Sequence, residues 1–113
     1  MGCSTLRQTV VTAATLQGML FMVIERFLHG PGPVYERAAT SGRMLPDGLL
    51  YVDSWVVDDD ALDRCFQLME TDDPSLFDVW AAAWADLGTI EVIPVLTSAE
   101  AAARLGHGPL SSA

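Results

Sequence analysis

Along the chain, hydrophobic and polar positions switch between two periods, and the switches mark the elements. "MLFMVIERF", residues 19–27, is rich in Met, Val, Ile and Phe and runs into the turn cluster "HGPGP", which predicts a strand and its exit. "PVYERAATSG" predicts a short helix, with Pro33 in the first position, where no N–H is needed, and Gly42 to end it in a left-handed conformation. "RMLPDG" is a loop. Residues 49–57, "LLYVDSWVV", predict a second strand, and "RCFQLMETDD", residues 64–73, a third. The polar link "DDDALD" between them is short enough to force an antiparallel hairpin. The period then lengthens. Leu76, Phe77, Trp80, Ala83, Trp84 and Leu87 recur at helical spacing in "DDPSLFDVWAAAWADLG", with Asp73 to cap, Pro74 in the first turn and Gly88 to stop the helix. "TIEVIPVL" predicts a fourth strand. "TSAEAAARLG" opens with the Thr97-x-x-Glu100 signature of a capping box and predicts a terminal helix.

The order is β-α-β-β-α-β plus a helix, an α+β ferredoxin-like arrangement over residues 19–106. Residues 1–18 carry no comparable pattern and are expected to be a disordered or loosely docked extension; Met19 is a candidate start. Residues 107–113 read as a tail. Right-handed crossovers place both main helices on one side of the sheet, with the first and third strands central and the second and fourth at the edges. Pro94 agrees, because a proline in a strand is tolerated mainly at an edge.

Strict alternation sorts the strand residues onto two faces. One is expected to hold Phe21, Val23, Glu25 and Phe27; Tyr51, Asp53 and Trp55; Cys65, Gln67 and Met69; Glu91, Ile93 and Val95. The other holds Leu20, Met22 and Ile24; Val52, Ser54 and Val56; Phe66 and Leu68; Val92, Pro94 and Leu96. Neither is polar enough to face water, and one helix layer covers only one of them. A bare sheet of Leu, Ile and Phe is an aggregation surface, so a second copy is expected to close over it about a two-fold axis.

Composition sharpens this. A chain of 113 residues with half its residues hydrophobic and a mean hydropathy of +0.30 has more apolar surface than one small core hides. Fifteen acids against six arginines, with no lysine, give a net charge of −9, which disfavours nucleic acid and anionic membrane surfaces. No apolar run reaches the roughly 20 residues of a membrane span. Cys3 and Cys65 follow no metal or redox spacing and suit a reduced cytoplasmic setting.

The chemistry-bearing residues gather on the first face. Uninterrupted alternation across the hairpin sets Trp55 opposite Cys65, Asp53 opposite Gln67 and Tyr51 opposite Met69, with Glu25 on the neighbouring strand. A carboxylate enclosed there loses hydration and its pKa rises, which suits a general base or acid. Asp53 is the first candidate base, with Gln67 and Tyr51 as polarising donors. Glu25, Trp55, Cys65, Met69, Trp80, Trp84 and Arg43 are candidate ligand contacts. The bland reading stands beside this one: a polar network that pins strand register or dimer geometry. For Cys65 a small buried hydrophobe is the default, and for Trp80 and Trp84 core packing. Arg43 either holds an anionic ligand or pairs with one of the acids, and His29 reads as a solvated loop residue. "DDDALD" lacks the glycine and distal glutamate of a calcium loop, and no zinc spacing or phosphate loop occurs, so neither metal nor cofactor is expected.

The phrases "MLFMVIERF", "GRMLPDGLLYVDSW", "CFQLMETDDP", "EVIPV" and "TSAEAAA" resemble a bacterial family known only as a domain of unknown function, within the dimeric α+β-barrel superfamily. The resemblance spans roughly residues 19 to 103. It implies a ferredoxin-like fold and a homodimer whose two sheets form a barrel. Better-known members of that superfamily include cofactor-independent monooxygenases, muconolactone isomerase and polyketide-modifying enzymes, whose motifs are not found here. The fold analogy suggests an enzyme working without cofactor on a small aromatic or polyketide-like molecule, by proton transfer, isomerisation or oxygenation. The rival is a non-catalytic dimeric module that binds a metabolite or a protein partner.

Overall fold

A computed structural model describes residues 18–108, so nearly all of the expected extension and most of the tail lie outside the described residues. The elements follow in the order β1 (Met19–Phe27), α1 (Pro31–Ser41), β2 (Leu50–Val56), β3 (Arg64–Thr71), α2 (Leu76–Trp84), β4 (Gly88–Val95) and α3 (Ser98–Arg104). The strands form one antiparallel sheet in the order β2-β3-β1-β4. This is the ferredoxin-like α+β fold with a C-terminal helix, β1 and β3 central and Pro94 on an edge.

The core lies between the helices and one sheet face. Phe21, Val23 and Phe27 of β1 and Cys65 and Met69 of β3 meet Val34 and Ala38 of α1 and Phe77, Trp80 and Trp84 of α2. Phe77 packs edge-on against both Phe21 and Trp80, with ring centroids 5.1 and 6.5 Å apart. Thr97 and Glu100 form both bonds of the capping box that starts α3.

Three expectations are corrected. First, α2 is shorter at both ends. Asp73 does not cap the helix itself; its carboxylate accepts from Ser75 N–H in the turn before it. Gly88 does not end α2 but opens β4 opposite Phe27, where a Cβ would lie 2.9 Å from the Arg26 carbonyl oxygen. Second, β4 sits in the opposite phase. Ile90, Val92 and Pro94 share the helix-covered face with Glu25, Val23 and Phe21, while Glu91, Ile93 and Val95 share the other with Ile24, Met22 and Leu20.

Third, β2 carries a bulge between Tyr51 and Asp53. Tyr51 does pair with Met69, but the extra residue then pairs Asp53 with Leu68, Ser54 with Gln67, Trp55 with Phe66 and Val56 with Cys65. Beyond it every side chain has changed face. The amide of Ser54 is satisfied locally by the Asp53 carboxylate, 2.8 Å away, a bond that competes with the regular ladder.

Among the described residues no element covers the face away from the helices, which is largely apolar but also carries Asp53, Glu91 and the buried Glu70. Leu20, Met22 and Ile24 of β1, Phe66 and Leu68 of β3, Leu50 and Trp55 of β2, and Ile93 and Val95 of β4 share it. The central members are half-buried, whereas Leu50 and Trp55 are each 50% exposed.

Candidate functional site

The polar residues that the fold brings together lie on the covered face. Glu25 sits in the middle of β1, paired with Cys65 on one side and Ile90 on the other, and is buried beneath the helix layer. Gln67, one step along β3 and fully buried, donates from Nε2 to Glu25 Oε1 at 2.6 Å. Gln67 Oε1 is buried and has no hydrogen-bond partner among the described residues. A stranded acceptor of this kind costs on the order of 1–3 kcal/mol, so a native fold that keeps one invites a reason.

Burial pushes the Glu25 carboxyl above its ordinary 4.5; the bonds from Gln67 and Cys65 and the positive charge of Arg43 act against that rise without cancelling it. Cys65 lies beside it. Burial, then the charge of Glu25 and its hydrogen bond, push the thiol up to about 12, so it is no nucleophile at neutral pH. Tyr35 of α1 feels the same pair: burial first, then Cys65 and Glu25, raise its phenol above 10.0.

Arg43 borders this pair from the loop after α1. Its guanidinium lies 3.5 Å from the centroid of the Tyr51 ring, and its Nη2 donates to Ser54 Oγ at 3.4 Å. Ser54 Oγ and the Tyr51 hydroxyl are 2.7 Å apart. The Arg43 carbonyl accepts from both Trp80 Nε1, at 2.9 Å, and Trp84 Nε1, at 3.0 Å. These tryptophans thus pack the core with their apolar bodies and fix one loop carbonyl with their polar ends.

Among the expected site residues, Glu25, Gln67, Cys65, Met69, Tyr51, Arg43, Trp80 and Trp84 belong to this layer. Asp53 and Trp55 do not. The bulge turns both to the open face, where both are exposed, so Asp53 is not the carboxyl beside Gln67. Ser54 takes that place and was missed, as was Tyr35. Two adjacent positions of β2 exchange roles, and only the extra residue explains it. His29 is exposed, and no group of three or more His, Cys, Asp or Glu among the described residues is placed to hold a metal ion.

A cleft of about 790 Å³ opens elsewhere, between the start of β1, the end of β4 and α3, lined by Leu20, Pro94, Leu96, Thr97 and Arg104 among others. None of the expected site residues lines it. No helix among the described residues is long and apolar enough to cross a membrane.

Comparison with known proteins leaves the chemistry open. No curated protein and no solved structure matches the chain. The model of one family, a domain of unknown function (DUF3303), matches residues 19–108, and the chain belongs to that family.

Proposed function

We propose that the protein is a homodimer, two copies packed open face to open face, in which each protomer binds one small organic molecule beside Glu25 and Gln67. In this reading the Glu25 carboxyl, protonated over a wider pH range than an exposed glutamate, donates and recovers a proton. Gln67 Oε1 accepts from a hydroxyl or enol of the ligand, and the Tyr51 ring with the tryptophans forms flat walls that favour an aromatic or polyketide-like skeleton. The observation that carries the ligand reading is the buried Glu25–Gln67 pair with one amide oxygen left over.

The dimer rests on the open face. Burying several half-covered Leu, Ile, Met and Phe side chains is worth roughly 1–2 kcal/mol each, enough to outweigh the cost of association. The non-catalytic alternative keeps the dimer and the ligand but not the turnover. In its favour, Arg43, Tyr51 and Ser54 are already engaged with one another and the thiol is held far from ionisation, which leaves Glu25 as the group for proton transfer.

The test is a thermal-shift screen with small phenols, enols and their methyl ethers, on the wild type and on Gln67→Leu. Hydroxylated compounds should stabilise the wild type and lose that effect in Gln67→Leu, while the ethers do nothing. Equal response to phenols and ethers, or no response to any, would sink the ligand reading. Turnover of a hit that disappears in Glu25→Gln separates enzyme from binder.

A further inference from the structure

We propose that α1 is a hinged lid over the Glu25–Gln67 site, latched shut by the Arg37–Asp86 ion pair. The inference rests on the reading of that site as a ligand site, because it answers how a molecule reaches a side chain that is fully buried in the closed fold.

Both ends of α1 are glycine turns. Gly30 precedes the helix at φ 78° and Gly42 follows it at φ 70°, and at neither would an added Cβ meet anything within 4 Å. Both are left-handed positions that glycine adopts without strain. Just outside each hinge the chain is pinned. Leu28 N–H donates to the Leu87 carbonyl at 2.9 Å, and the Arg43 carbonyl takes both indole N–H groups. Each joint keeps a backbone bond of its own, Gly42 N–H to the Ala38 carbonyl at 2.8 Å and Gly30 N–H to the Phe27 carbonyl at 3.4 Å. A helix set between two glycine turns, with pinned chain on either side, has the layout of a hinged element.

Little holds the helix down between the joints. α1 buries only Val34 and Ala38, has no side-chain cap at its N-terminus, and carries no acid in its first turn and no base in its last. Among the described residues, its polar tie to α2 and the turn after it is Arg37. The guanidinium grips Asp86 through two bonds, Nη1 to Oδ1 at 2.8 Å and Nη2 to Oδ2 at 2.6 Å. It also donates to the Ala83 carbonyl at 3.2 Å and lies 5.4 Å from the Trp84 ring centroid. On α1 itself the partly exposed Tyr35 meets Phe27 of β1 edge-on and stands close enough to Cys65 and Glu25 to feel their charge. Lifting α1 uncovers Cys65 and Glu25 together.

Cys65 is therefore a built-in reporter of opening, independent of any ligand. The experiment uses the full chain with Cys3→Ser, so that Cys65 is its sole thiol, and follows iodoacetamide labelling at pH 9 alongside urea unfolding. A lid labels Cys65 through a local opening, with a rate nearly flat in low urea and faster than global unfolding allows. Asp86→Asn should speed labelling roughly threefold to tenfold with the unfolding midpoint almost unchanged, and Arg37→Ala by about tenfold or more. Added salt should speed labelling in the wild type but not in Asp86→Asn, since only the former has a pair to screen. Labelling that follows global unfolding in wild type and Asp86→Asn alike would overturn the lid, as would an Asp86→Asn rate that rises only as far as its stability falls, or not at all. Failure of the phenol screen with these labelling results intact removes the ligand and leaves the moving helix.

Discussion

The two faces of the sheet are made of the same strands and have opposite fates. Under the helices, aromatic and branched side chains interlock, and the few polar groups are enclosed: Glu25 and Gln67 hold each other, and Thr71 caps the turn amide of Asp73. On the reverse, Leu, Met, Ile and Phe lie half-covered, with Trp55 and Leu50 at the margin. The first face is finished within one chain; the second is complementary chiefly to another apolar surface. A polar group on the finished face has nowhere to find water, so its chemistry is altered by burial.

The largest way to break this contrast is Trp80→Ala. It empties a fully buried site and strands one bond to the Arg43 carbonyl, and should cost about 3–5 kcal/mol in chemical unfolding. A charge in the middle of the open face, Leu68→Glu, should act differently. The folded subunit persists, while light scattering shows association weakened by roughly a hundredfold or more, because each two-fold contact carries the charge twice. If Leu68→Glu leaves the molar mass at that of the wild type, the open face is not where two copies meet.

A smaller effect sharpens the electrostatic side. Glu25 is raised in the folded state above its ordinary 4.5, so between that value and the raised one the folded chain holds a proton that the unfolded chain has lost. Stability must then fall as pH rises through that window and level off above it. In Glu25→Gln the difference from wild type should grow across the same window in the variant's favour; a pH-independent difference would contradict the burial argument. Smallest is Asp53→Ala, which removes one bond to the Ser54 amide. It should cost within about 1 kcal/mol and leave the Glu25 titration unmoved, whereas Gln67→Leu should shift it.

Much of the architecture was legible because several signals agreed. The helical stripe from Leu76 to Leu87, the capping box at Thr97 and the proline at the edge each pointed to one topology. Glu25, Cys65 and Gln67 lie on the central strands, where pairing on both sides enforces strict alternation, and their shared face was read correctly. The edges escaped. In β4 both phases are apolar, Ile90 and Val92 against Ile93 and Val95, so periodicity cannot choose; the close approach of Gly88 to the Arg26 backbone does. In β2 an inserted residue with no glycine or proline to announce it reverses Asp53, Ser54 and Trp55. That is why the carboxyl beside Gln67 is Glu25 and not Asp53.

The bulge in β2 has one more consequence, an optical one. The chain has three tryptophans: Trp80 and Trp84 lie in the dry interior with their N–H groups on one carbonyl, and Trp55 is turned outward, half in water. Their emission should therefore contain a blue, invariant part and a red part belonging to Trp55 alone. Self-association would blue-shift the red part and leave the other in place, so dilution of the unlabelled protein reads out assembly in its own fluorescence.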